Sequence, residues 1–525
     1  MSIAGESAVL TGRRESVRSV RPDPVQDDAV SWAISFTVVL VTTICLVLLD
    51  ARLMHWFVVP AAMCGAILGI DVVDWLRRRL DLFDPQALIG LIGVHLFYLA
   101  PLLHVMFDWW PKRVIAPDDW RHAFGLMATL NLVGLVAYRW LTSSRRARRR
   151  VARGPAGELW RIRFDERRFY RFGVLMVLVG MGAFVVELAK FGGLSGFVDT
   201  MTVNRDLLLG HNGLLTVGES FPSMIFMLVV VRWRRELVGR PGLIVALLLA
   251  LALVQFFVGG LRGSRSNTLW PVVMGLMLVH FLVQRIPRRV MACAAVVFML
   301  FMFVYGMYKN AGPQVLDIFK GKKSVAEMSQ ETGRDAPAML LGDFGRADVQ
   351  AILLERRLAG VGELAWGGTY VAGLLLPVPD SIVPERPLPK MYYGTELLQG
   401  QGVYSFEDRQ WASNVYGLPG EAILNFGPPA VPLVFIPFAF AVRGVRRLHL
   451  RGLRGDRLPA ALLAPPLGIA TMLWLSSDCD NITYLLLQRL GPIGLVLLLS
   501  MSVRRNDTGP EPGPPYAAAP RRLAV

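Results

Sequence analysis

Blocks of apolar residues, each about 18 to 23 long, recur along this chain between short polar connections. That length carries an α-helix across the hydrocarbon core of a bilayer. Twelve such blocks are legible. The first five run Ser31–Leu49, Met54–Val73, Gln86–Met106, His122–Leu141 and Phe172–Leu188. The next four run Leu214–Val231, Leu243–Gly259, Thr268–Val283 and Val290–Tyr308. The last three are Glu421–Val442, Ala460–Leu475 and Thr483–Val503. The pattern predicts an all-α polytopic membrane protein of about twelve transmembrane helices.

The connections carry the orientation. Arginine clusters fall in every second one: RRR from Arg77, SSRRARRR from Ser143, RWRR from Arg232, QRIPRR from Gln284 and RGVRRLHLRGLRGDR from Arg443. These and the two tails hold most of the 56 lysines and arginines. Basic connections stay on the cytoplasmic side, so both termini are expected there. The net charge of +16 then reads as an orientation signal on an anionic leaflet. No nucleic-acid-binding motif accompanies it, and nucleic acid is not an expected partner.

This reading divides the chain into a cytoplasmic tail (1–30), nine helices (31–308), one long extracytoplasmic loop (309–420), three helices (421–503) and a second cytoplasmic tail (504–525). A loop of about a hundred residues is far longer than an ordinary connection and is a natural seat of function. It predicts an amphipathic helix over Ala336–Arg357 and an interfacial or re-entrant run over Gly367–Pro379, which is too short to span. No GxxxxGK[ST] motif occurs. The expected chemistry therefore lies outside, without ATP and on a membrane-borne substrate.

GLRGSRSN, from Gly260 to Asn267, places Arg262 and Arg265 at the outer end of the eighth helix. Ser264, Ser266 and Asn267 are good N-cap types, and a helix N-terminus favours an anion. Guanidinium grips phosphate oxygens bidentately, so the turn predicts a phosphate-binding site. Other outward candidates are Arg205, near Asp206 and His211, and Arg346 with Asp348 on the loop helix. Arg489 lies within the twelfth span, where an arginine must face the bundle or a wet cavity. Asp478 and Asp480 are its expected partners. Glu421 and Asn425 stand four apart, on one helix face. Asp118 and Asp119 resemble a metal-binding pair without further ligands. The seven histidines are scattered without a metal-binding motif, and the four cysteines show no paired spacing. No metal or cofactor is expected.

Several of these segments together resemble the bacterial O-antigen polymerases, the Wzy-type polymerases of oligosaccharide repeat units. They are the outward GSRS turn, GGTYVAGLLLPVPDSIVPERPLPK from Gly367 to Lys390, and LPGEAILNFGPPAVPLVF from Leu418 to Phe435. DLFDPQALIGLIGVHLFYLAPL from Asp81 and FGGLSGFV from Phe191 fit the same layout. The resemblance implies a glycosyltransferase of the bacterial inner membrane. Its substrates would be polyprenyl-pyrophosphate-linked oligosaccharides, and its partners a flippase and a chain-length regulator. Arg262, Arg265, Ser264, Arg205, Arg346, Lys390, Asn425 and Arg489 are then candidates for holding substrate. Glu421, Asp348 and His211 are candidates for orienting or deprotonating the acceptor hydroxyl. A ligase-like transferase and a flippase or exporter of lipid-linked sugars are the competing readings.

Overall fold

The computed structural model describes residues 24–143, 160–202, 212–261, 264–379, 381–405, 410, 414–454 and 458–505. Arg205, His211 and Arg262 lie outside the described residues.

The first half of the chain forms α1 (Pro24–Leu49), α2 (Val58–Leu76), α3 (Pro85–Phe107) and α4 (Trp120–Ser143). A strand, β1 (Trp160–Phe164), precedes α5 (Glu166–Lys190) and α6 (Gly193–Thr202). Then come α7 (Gly213–Arg232), α8 (Pro241–Gly260), α9 (Arg265–Leu282) and α10 (Arg288–Ala311). Five short elements come next: α11 (Val325–Thr332), α12 (Ala347–Leu358), α13 (Gly368–Leu374), α14 (Lys390–Gln399) and α15 (Gly417–Phe426). The chain closes with α16 (Ala430–Leu453), α17 (Leu458–Trp474), α18 (Cys479–Ser500) and β2 (Met501–Arg505).

Nine of these helices are long and apolar enough to cross a membrane among the described residues: α1 to α5, α7, α8, α10 and α18. The protein is thus a helical, multi-pass membrane protein. The other three predicted spans correspond to α9, of 18 residues, α16, with arginines through its second half, and α17, of 17 residues.

Three expectations are corrected. The tenth block is two helices, not one. Gly427 takes φ +79° and is followed by Pro428 and Pro429, which end α15 and start α16 on a new axis. Glu421 and Asn425 therefore sit on a short helix outside the span. The loop helix predicted over Ala336–Arg357 also breaks. A π-helical turn, Ala338–Asp343, precedes α12, and at Gly345 a Cβ would lie 2.3 Å from the Leu341 carbonyl. Finally, the fold is not wholly helical. β1 and β2 form an antiparallel ribbon, Trp160 opposite Arg505 and Phe164 opposite Met501. The last helix accordingly ends at Ser500 rather than Val503.

Small residues set the helix spacing in the core. Gly134 of α4 faces Phe435 of α16, and a Cβ there would lie 2.2 Å from the ring. Gly65 of α2 faces Tyr98 of α3 in the same way, at 2.6 Å. Without a hydrophobic force between helices in lipid, such close approach supplies the dispersion contacts that hold them. At the end opposite the long loop, carboxylates of α2 and its connection to α3 bind the later helices. Asp71 meets Arg139 at 2.5 Å, Asp84 meets Arg446 at 3.0 Å, and Asp81 lies 3.1 Å from His280 and 3.3 Å from His449.

Gly134→Val drives a branched side chain into the Phe435 ring. Overpacking of this kind costs about 1–3 kcal/mol. The expected outcome is a lower melting temperature of the purified protein, partly restored by Phe435→Leu, read by fluorescence-detected size exclusion.

Candidate functional site

The connection between α17 and α18, SSDCD from Ser476 to Asp480, gathers the polar groups of the loop end. Asp478 is fully buried. One of its oxygens accepts the amides of Tyr416 at 2.9 Å and Gly417 at 2.7 Å, and the other accepts the Lys390 ammonium. Lys390, at the first position of α14, also reaches Asp480 at 2.8 Å. Burial works against the Lys390 charge, but the two carboxylates outweigh it and hold the ammonium above its ordinary range. Glycines make this geometry. Gly417 takes φ +72°, and Gly394 leaves room for the Tyr416 ring, where a Cβ would stand 1.7 Å from the phenol oxygen.

Glu421 packs against the same connection. Its Oε2 accepts the Cys479 amide at 2.7 Å, and its Oε1 accepts the Thr369 hydroxyl at 3.0 Å. Thr369 in turn accepts Asn425 Nδ2 at 2.6 Å, so Glu421, Asn425 and Thr369 form one buried triad between α13 and α15. Burial, and then the negative charge of Asp478, raise the Glu421 carboxyl above the usual carboxylate range. The residue is 1% exposed, so it fastens α13 and α15 to the start of α18.

Arg346 joins the connection from the other side. Its Nε donates to the Ser476 carbonyl at 3.0 Å. Its Nη1 donates to the carbonyls of Gly342 at 3.2 Å, Asp343 at 3.1 Å and Gly345. Its Nη2 makes no hydrogen bond and no carboxylate pairs with it among the described residues, and the residue as a whole is half-buried. Asp348, two residues on, is buried. Burial opposes the Arg346 charge, while Asp478, Asp348 and Asp343 favour it; a guanidinium stays protonated.

Arg265 does not stand free as the sequence suggested. It grips Asp343 bidentately at 2.6 and 2.7 Å, and Arg334 approaches the same carboxylate at 3.1 Å. Burial alone would raise the Asp343 carboxyl, but Arg265 and then Arg334 hold it below its ordinary value. Ser264 occupies the N-cap of α9, yet its hydroxyl caps no amide and lies 3.1 Å from that of Ser266. Two arginines on one aspartate leave the cluster with a net positive charge beside Arg346.

The expected pairing of Arg489 with Asp478 and Asp480 is also corrected. Arg489 faces the bundle interior, where it donates to the carbonyls of Glu219 at 3.1 Å and Asn267 at 3.2 Å and to Ser223. Asn267 and Gln488 both donate to the Glu219 carboxylate. Arg489 thus positions the first turn of α9 from behind. Asp118 and Asp119 form no metal-ligand cluster among the described residues: the Asp118 backbone amide donates to the distant Glu355 carboxylate, and Asp119 pairs with neighbouring Arg121.

Sequence reasoning missed three things. It placed Asp478 with the wrong cation, and it did not see Thr369. It also missed four π-helical turns, His95–Leu99, Phe256–Gly260, Ala338–Asp343 and Leu486–Leu490. All four adjoin this region: the His95 ring bonds the Leu340 carbonyl at 2.9 Å, Tyr305 donates to the Gly260 carbonyl, Asp343 holds Arg265, and Arg489 holds α9. Such turns concentrate at functional sites because they free backbone groups from the regular ladder.

No family model, curated protein or solved structure matches this chain.

Lys390→Met leaves Asp478 buried without its ammonium, which costs about 3–5 kcal/mol. The expected outcome is loss of the folded protein at its normal melting temperature. Asp478→Asn in the same chain should recover a large part of it. Melting curves of the two single variants and the double variant read the coupling.

Proposed function

We propose that this protein is a membrane-embedded glycosyltransferase that polymerises oligosaccharide repeats carried on polyprenyl pyrophosphate. It works at the outer face of the bacterial cytoplasmic membrane. In this reading α9, α16 and α17 join the nine long helices as a twelve-span bundle. Both termini are cytoplasmic, and the loop residues 309–420 lie outside.

The observation that carries the reading is Arg346. Backbone carbonyls hold its guanidinium in place, and Nη2, which carries no hydrogen bond among the described residues, is the donor this reading assigns to an anion. Arg265 and Arg334, sharing the single charge of Asp343, add positive potential beside it. As the glycosidic bond to the lipid carrier breaks, charge builds on pyrophosphate oxygens. A preorganised guanidinium stabilises that charge more in the transition state than in the bound substrate. Arg265 then acts by holding Asp343 and the π-turn that shapes the Arg346 cradle, rather than by gripping phosphate directly. Glu421 fixes the floor of the site through Thr369 and Cys479.

Purified protein in lipid, supplied with polyprenyl-pyrophosphate-linked repeats, should convert them to a ladder of longer lipid-linked chains. Folded protein that yields no ladder would sink the proposal. Transfer of a preformed chain to a different acceptor would favour the ligase-like alternative. Arg346→Ala should lose about 2–4 kcal/mol of transition-state stabilisation, or roughly two to three decades of rate. Arg346→Lys should recover only part, because the fork is lost. Melting temperature, measured alongside, separates loss of chemistry from loss of fold.

The orientation has its own check. A cysteine at position 330 should react with an impermeant thiol reagent on intact cells, and one at position 150 should not. Labelling of position 150 from outside would overturn the placement of the loop.

A further inference from the structure

The run Leu364–Pro379 contains no Asp, Glu, Lys or Arg, although it belongs to the long loop, which is charged on both sides of it. Folding does not hide it. Trp366 is 75% exposed, Leu374 62% and Ile382 68%, and Val371, Leu376 and Leu388 are each about half exposed. Trp366 also holds φ +47°, a left-handed conformation that costs a bulky residue energy, and it does so while facing outward. A water-facing loop has no reason to display such a surface.

Contacts with the spans set the depth of this segment. Its helix among the described residues, α13, lies backbone to backbone on the first turn of α18. A Cβ on Gly373 would stand 2.8 Å from the Asp480 amide. That turn is where the apolar span of α18 begins. On its other side, the Ala365 and Trp366 amides bond the Leu424 and Asn425 carbonyls, just ahead of α16. Exposed Phe426 lies beside Tyr370 of α13 and leads to the outward apolar face of α16, which starts at Leu433. The patch is therefore continuous with surface that already faces lipid, and it sits level with the ends of two spans.

We infer that residues 364–379 and 381–388 form an element sunk edgewise into the bilayer, its apolar face resting on acyl chains at the headgroup boundary. Trp366 and Tyr370 lie where aromatic residues gather at membrane interfaces. The segment is too short to cross, and Arg386 closes it by donating to the Val383 and Val378 carbonyls. The lipid face and the Thr369–Glu421 contact belong to the same seven-residue helix. The lipid surface therefore fixes the height of the buried triad. This inference does not rest on the proposed transferase activity.

The test reads depth directly. Spin labels are placed on Leu374→Cys, Ile382→Cys and, as a water-facing control in the same loop, Gln401→Cys. The protein is otherwise full length, with the exposed Cys45 and Cys293 changed to Ser, and is reconstituted in phosphatidylethanolamine–phosphatidylglycerol vesicles. Collisions with oxygen, which concentrates in lipid, are compared with collisions with a water-soluble nickel chelate. Labels at 374 and 382 should give an oxygen-to-nickel ratio several-fold above that at 401. Ratios equal to the control would overturn the inference, because the face would lie in water. Shielding from both reagents would also overturn it, because the face would then be covered by protein. A second reading needs no label: brominated lipids should quench wild-type fluorescence more than that of Trp366→Phe. Equal quenching counts against the inference.

Discussion

One carboxylate organises the loop end of this protein. Asp478 lies in the turn before α18, wholly out of solvent, and receives an ammonium and two backbone amides. A charge in that position is tolerable only with such partners, since the low-dielectric interior magnifies both attraction and the cost of its loss. The partners come from α14 and from the entry to α15, so satisfying one charge fixes three segments. Once they are fixed, Ser476 presents its carbonyl to Arg346 and Cys479 presents its amide to Glu421. The long loop is thereby an extension of the helix bundle rather than an appendage to it.

The π-turns serve the same end in a different way. Each widens a helix by one residue and rotates the helical turns beyond it, so side chains that would face lipid swing inward. In α18 the turn Leu486–Leu490 aims both Gln488 and Arg489 at Glu219. In the loop the turn Ala338–Asp343 delivers Asp343 to Arg265 and frees the carbonyls that cradle Arg346. The polar groups at this end are therefore held by backbone geometry as much as by charge. That is the rigidity a transition-state site needs.

The apolar blocks of the sequence were enough to place the nine helices that are long and apolar enough to cross a membrane among the described residues, because in lipid a span must satisfy its own backbone and shows it as an unbroken run. Where the reading of Glu421–Val442 failed, Gly427-Pro428-Pro429 carried the break in plain view, inside a run whose hydropathy alone looked continuous. The site was legible only in parts. Arg346, Glu421, Asn425 and Lys390 were candidates, but nothing local says that Lys390 meets Asp478 across 88 positions. Asp478 was assigned to Arg489 because they are neighbours in sequence, whereas the π-turn points Arg489 the other way. Arg265 looked free because its partner, Asp343, lies in a segment read as a regular helix. Pairings between distant segments and insertions into helices leave no periodic trace.

The ribbon that joins Trp160–Phe164 to Met501–Arg505 dictates the order in which the molecule can be completed. Its first strand is made early and stays without its partner while most of the chain is synthesised and inserted. The same wait applies to Lys390, whose counter-charges arrive only with the turn before α18. Until then β1 keeps an open edge, a template for wrong pairing, and Lys390 lacks both of its counter-charges. The turn before α18 and the strand after it supply the two missing partners, so the two ends of the last helix settle segments made long before.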